Sequence, residues 1–169
     1  MCVKPNKDIY IFIKNLMLMI LNELLTRQNV FTKILLKDDS KELSKELKVK
    51  VMRIRMAYNK IRKKFDDEVK EFVDELVPEE LKNLNAKSEK TPEEKAREKE
   101  LSNKVNSEYQ EYLVQKGDEE VTDIIEDSLT MDEYSEIVEV NAGNDIEING
   151  NNIPAADFLE AIYDLFVKE

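Results

Sequence analysis

The chain has 169 residues, with 26 Lys+Arg against 37 Asp+Glu, no His, no Trp, one Cys and three Gly, and a formal charge of −11. Without His there is no Ser-His-Asp triad, no Cys-His nucleophile pair and no imidazole ligand for zinc or haem. One Cys excludes an internal disulfide and any CxxC site, and three scattered glycines leave no phosphate-binding GxxxxGKS/T loop and no GxGxxG turn.

A non-enzymatic chain without cofactor or metal is therefore expected. The length suits one domain, or one domain with an appendage, and 41% hydrophobic residues suffice for a modest core. The 37% charged fraction is well above the usual quarter and implies much exposed helix. A lone thiol, Cys2, points to a reducing cytoplasm.

Ile9-Tyr10-Ile11-Phe12-Ile13 and Leu16-Met17-Leu18-Met19-Ile20-Leu21 together imitate a signal peptide or a membrane span. Lys14 and Asn15 interrupt them, no small-residue cleavage site follows, and Asn22-Glu23 ends the run before about 20 apolar residues accumulate, so no membrane role is expected. Residues 1–18 are expected to be an extension outside the fold, with Met1, Met17 and Met19 as alternative starts.

From Met19 to Leu36, Ile20, Leu21, Leu24, Leu25, Val30, Phe31, Ile34 and Leu35 recur as on a one-sided helix. Lys37-Asp38-Asp39-Ser40 breaks it, with Asp39 or Ser40 placed to cap a second helix over Ser40–Val77. There Leu43, Leu47, Val51, Ile54, Tyr58, Ile61, Phe65, Val69, Phe72 and Leu76 advance by alternating threes and fours, about 3.7 residues per step, close to the natural α-helical turn. Such a helix extends about 57 Å, more than a small body covers, so its stripe should meet another long helix or another chain. Pro78 stops it, and residues 83–90 read as a polar connection.

Thr91-Pro92-Glu93-Glu94 has the N-cap, first-position proline and third-position Glu of a capping box, opening a third helix that ends at Lys116 with Gly117 as a left-handed stop. The second and third helices form the expected long antiparallel hairpin over 19–117, packed toward Val105–Leu113, with its tip around Pro78–Pro92 in solvent.

Residues 118–169 carry 16 acidic side chains and one basic, a net of −15. They predict a strand at Val121–Ile125, a helix from Leu129 to Val140 opened by Thr130, a strand at Asp145–Ile148, a turn at Asn149-Gly150 and a closing helix from Pro154. The fold class is thus mainly α: the hairpin, a short N-terminal helix and a small acidic α+β C-terminal cap lying against the helices.

Asp145-Ile-Glu147-Ile-Asn149-Gly150 has the alternating oxygens of a calcium loop, but Ala156 stands where the twelfth-position Glu is needed, so strand and turn are preferred. The acidic run Asp118, Glu119, Glu120, Asp123, Glu126, Asp127, Asp132 and Glu133 has no sign of a pocket to tune a catalytic carboxylate and reads as solvated charge.

The first 64 residues carry 16 positive and 6 negative side chains, a net of +10. Within residues 41–64, Lys48, Arg55, Arg62 and Lys63 mark a basic face that pairs with the acidic tail, within one molecule or between copies. A nucleic-acid-binding or regulatory module on that face is the alternative, disfavoured by the scarcity of interleaved aromatics.

Leu21-Asn22-Glu23-Leu24-Leu25, the basic long helix entered through Leu47-Lys48-Val49-Lys50-Val51, the helix ending in Tyr112-Leu113 and the closing Ile153-Pro154-Ala155-Ala156-Asp157-Phe158-Leu159 together resemble the small uncharacterised proteins of tailed-phage morphogenesis gene clusters. The resemblance covers about residues 19–169 by pattern, without a diagnostic motif. It implies virion assembly in an infected bacterium, in the host cytoplasm or the particle, with other phage structural proteins or further copies of the chain as partners. The expected interaction residues are Leu47, Val51, Ile54, Tyr58, Ile61, Phe65, Val69, Phe72, Phe158 and Phe166.

Overall fold

A computed structural model describes residues 19–122, 125–148 and 150–168. The expectations for residues 1–18, and for Asp123, Ile124 and Asn149, lie outside the described residues. The protein is mainly α, its elements running β1 (Met19–Ile20), α1 (Leu21–Phe31), α2 (Lys45–Leu76), α3 (Glu79–Ala86), α4 (Pro92–Gly117), β2 (Glu120–Val121), α5 (Met131–Asn141), β3 (Ile146–Ile148), β4 (Asn151–Ile153) and α6 (Ala155–Phe166). None of the described helices is long and apolar enough to cross a membrane.

Two compact units replace the expected division at residue 117. Among the described residues, one combines those up to Ile61 with those from Glu120 onward; the other is Arg62–Glu119. Helix α2 is unbroken over 32 residues, about 48 Å, and contributes to both.

In the first unit, Leu21, Leu24 and Phe31 of α1, Leu47, Val51, Ile54 and Tyr58 of α2, Ile137 and Val140 of α5, and Phe158, Ile162 and Phe166 of α6 form the core. The Phe31 ring meets Phe166 edge-on at 4.9 Å and Tyr58 at 6.0 Å. Helix α1 ends five residues earlier than its apolar pattern suggests. Beyond it, Asp38 Oδ1 accepts from the N–H groups of Ser40 (2.8 Å) and Lys41 (2.6 Å), folding the chain back so that Leu43 N–H reaches Leu36 O at 2.9 Å. That turn delays α2 to Lys45, and Ser44, not Asp39 or Ser40, precedes it, its Oγ accepting from Leu47 N–H at 3.4 Å.

Buried Asn141 binds this turn to α5: its Oδ1 accepts from Leu35 N–H (2.8 Å), and its Nδ2 donates to Leu35 O (3.3 Å) and Ile137 O (2.8 Å). Thr130 opens α5 with a full capping box. Of the strand expected at Val121–Ile125, only Val121 lies in a strand among the described residues: β2 is Glu120–Val121, antiparallel to Met19–Ile20, and Thr122 and Ile125 are outside it. β3 and β4 form a hairpin with Ile148 opposite Asn151, where Gly150 takes φ +77 and gives the turn a left-handed residue without a side-chain clash.

In the second unit, Phe72 of α2 stacks face to face on Tyr112 of α4 (centroids 3.9 Å apart, planes within 7°), and Glu68 pairs with Lys116 at 2.7 Å. Four residues back on one helix match four forward on the other, the register of an antiparallel hairpin. Its tip is not a bare polar connection: α3 folds Leu81 and Leu84 onto Leu101, with Val77 and Val105 against them, and Arg97 grips Glu80 through two hydrogen bonds (2.9 and 3.0 Å). The proline that stops α2 thus starts α3, because position 78 precedes a helix whose first N–H groups have no partner anyway. Thr91 makes the expected capping box with Glu94. Gly117 is not a left-handed stop: it lies inside α4, and Asp118 (φ −89°, ψ −3°) continues the right-handed turn.

Candidate interaction surface

The ten expected interaction residues separate by burial. Leu47, Val51, Ile54, Tyr58 and Ile61, with Phe158 and Phe166 of α6, are buried in the first unit's own core, so they are corrected from docking surface to packing. Phe65, Val69 and Phe72 are half-buried in the second unit. Every apolar position of the α2 stripe is therefore at least partly covered within the chain, because α1, α5 and α6 supply enough apolar area over its first half and α4 flanks its second.

One carboxylate of the acidic run is a core residue. Asp127, 5% exposed, accepts from Arg27 Nε (2.9 Å) and from the Tyr58 hydroxyl, and its carboxylate lies 2.8 Å from Arg27 Nη2 as an ion pair. The Arg27 guanidinium lies over the Phe166 ring, 4.7 Å from its centroid. Burial and the Asp127 charge push the Tyr58 phenol well above its ordinary value, so it stays protonated and donates. Burial opposes the Arg27 charge, but Asp127 outweighs it and holds the guanidinium charged. Each polar group of this node points at another, a closed arrangement that locks α1, α2 and the segment before α5 together.

The expected pairing of the basic half with the acidic tail takes place within the first unit. Lys50 donates to both Glu133 oxygens (2.8 and 2.6 Å), Lys41 lies 3.4 Å from Glu139, and Ser44 N–H donates to Glu136 at 2.8 Å. Burial favours the neutral Glu133 acid, but Lys50 and the Thr130 N–H outweigh that and hold its carboxyl below the usual range.

This pairing changes the expected basic face. Lys48 is bound to Glu42 at 2.7 Å, and Arg62 to Asp66 at 2.9 Å. Arg55 is half-buried, its Nη2 donating to Ile34 O and its Nε buried without a partner among the described residues. Lys63 is exposed.

What α2 does present is a stripe missed by the sequence pattern: Val49, Met52 and Met56, 64%, 52% and 72% exposed, three and four residues apart on the side away from the core. Lys45, Arg53 and Lys60 surround it, exposed and without an ion-pair partner among the described residues. The signal available beforehand was that these three apolar residues fall half a turn off the main stripe; a second period of threes and fours inside the same helix is easily absorbed into the first.

The calcium-loop reading has no support in the contacts: Asp145 accepts from Ala155 N–H (3.2 Å) and from Asn152 Nδ2 (3.4 Å), serving the β3–β4 hairpin and the start of α6. Among the described residues no group of three or more Cys, Asp and Glu is placed to hold a metal ion. No protein-family model, curated protein or solved structure matches the chain.

Proposed function

We propose that the protein is a non-enzymatic helical assembly protein, acting in bacteriophage virion morphogenesis through protein–protein contacts. The observation that supports this reading is the outward face of α2, where three flexible or branched apolar side chains stand in water beside Lys45, Arg53 and Lys60, which have no ion-pair partner among the described residues. Methionine is an adaptable packing residue, and an apolar centre with a charged rim is the usual anatomy of a protein contact. The phage setting rests on the order and character of the elements, from the Leu-rich opening to the Ile153–Leu159 start of the closing helix.

The test is to introduce Met52→Glu with Met56→Glu into the encoding phage and count complete particles by electron microscopy. Both positions are on the surface, so the fold is retained, and a loss of complete particles is expected. Undiminished particle yield would contradict the proposal.

The alternative is a nucleic-acid contact through Lys45, Arg53 and Lys60, which are all exposed. It requires affinity for duplex DNA that falls linearly in log–log form with salt. The same measurement on a Met52→Gln/Met56→Gln variant, which removes the apolar centre without adding charge beside those cations, separates the two readings.

A further inference from the structure

The first unit carries a second exposed face whose charge is the inverse of the α2 stripe. On α6, Asp157, Glu160 and Asp164 are exposed at spacings of three and four. Beside them the half-buried Tyr163 ring meets Tyr134 of α5 edge-on, centroids 5.4 Å apart. Met131, 50% exposed, and Asp132 stand at the start of α5.

None of these four carboxylates has an ion-pair partner among the described residues, whereas the acidic groups nearer α2, Glu133 and Glu139, are already bound to Lys50 and Lys41. Among the charges left without an ion-pair partner among the described residues are Lys45, Arg53 and Lys60 around Val49, Met52 and Met56, and Asp157, Glu160 and Asp164 beside Tyr163 and Tyr134. Val49 to Met56 and Asp157 to Asp164 each cover seven residue steps of helix, about 10 Å. The two faces match in length and carry opposite charge.

We infer that the α2 face of one copy docks on the α5–α6 face of a second copy. The proposal rests on the protein-contact reading above and identifies the partner. The two surfaces are different patches of one chain, so the contact is heterologous: it repeats head to tail and grows into rings or filaments instead of stopping at a symmetric dimer. Apolar and aromatic side chains at its centre contribute the attachment, and the charged rims set orientation and a dependence on salt.

The test is light scattering on the full chain and on two surface variants, Met52→Glu/Met56→Glu and Glu160→Lys/Asp164→Lys, each checked for wild-type helicity by circular dichroism. At low salt the wild type is expected to associate, and to revert to monomer as salt is raised. Each variant alone should be monomeric, and an equimolar mixture should recover association, because each supplies the face the other lacks. A wild type that is monomeric at low salt overturns the inference, as does association of either variant alone.

The outcomes distinguish the two levels. A monomeric wild type whose Met52→Glu/Met56→Glu variant still loses particles in the phage leaves the assembly reading standing with a different partner. Self-association without any particle defect removes the assembly reading instead.

Discussion

Replacing Asp127 with Ala tests whether the buried charged node carries the weight its geometry implies. The Arg27 and Asp127 side chains are 11% and 7% exposed and joined by a hydrogen bond at 2.9 Å and an ion-pair contact at 2.8 Å, with the Tyr58 hydroxyl as a second donor. Truncation leaves a guanidinium over the Phe166 ring with no counter-charge and a phenol with no acceptor. Removing one partner of such a pair costs about 3–5 kcal/mol, because the remaining ion keeps its desolvation penalty and loses its compensation. Replacing the whole node by apolar groups of similar size, Arg27→Met with Tyr58→Phe and Asp127→Leu, removes penalty and attraction together and should return stability to within about 2 kcal/mol of wild type. Urea unfolding followed by far-UV circular dichroism measures both. A loss below about 1 kcal/mol for Asp127→Ala, or a triple variant no more stable than the single, would refute the reasoning.

Two further perturbations follow from the same structure. The Tyr58 phenol is held protonated in the fold, whereas the unfolded phenol ionises near its ordinary value of 10.0. The unfolded state therefore releases protons that the folded state keeps, and stability must fall as pH rises past 10, with a shallower fall in Tyr58→Phe; equal alkaline slopes would contradict this. Phe72 is half-buried and stacked on Tyr112, so Phe72→Ala should cost about 2–3 kcal/mol, below the roughly 3–5 of a fully buried Phe, as read from the same urea curves; no loss at all would contradict the hairpin packing.

The elements that local rules govern were legible in the sequence. The period of α2 gives an unbroken helix, and the Thr91 and Thr130 signatures produce the two capping boxes, because each depends on residues within one turn of one another. Gly150 marks the β3–β4 connection for the same reason, alone bearing a positive φ among the described glycines. Features depending on distant partners were hidden. Asp127 looks like its seven acidic neighbours in the run until Arg27, a hundred residues away, is placed against it. Asn141 resembles a helix-end residue until its amide is seen bridging to Leu35.

The α2 face illustrates the same limit from the other side. Its apolar periodicity correctly identified a buried edge, but how far that edge is covered depends on α1, α5 and α6, which sequence spacing does not position. The stripe from Leu43 to Leu76, expected to meet another long helix or another chain, is at least partly covered within its own chain at every position, and exposed apolar surface lies on the opposite side, at Val49, Met52 and Met56. The basic residues likewise divide into those matched at home, such as Lys41, Lys48 and Lys50, and those left unmatched.

Methionine oxidation footprinting addresses that outward face most directly, because Met52 and Met56 are themselves the reporters. In the dilute isolated chain both thioethers should oxidise readily. In assembled material recovered from the native source, both should be protected, with the chain otherwise unchanged. Equal oxidation of Met52 and Met56 in the isolated and assembled states would contradict a docking role for this face of α2.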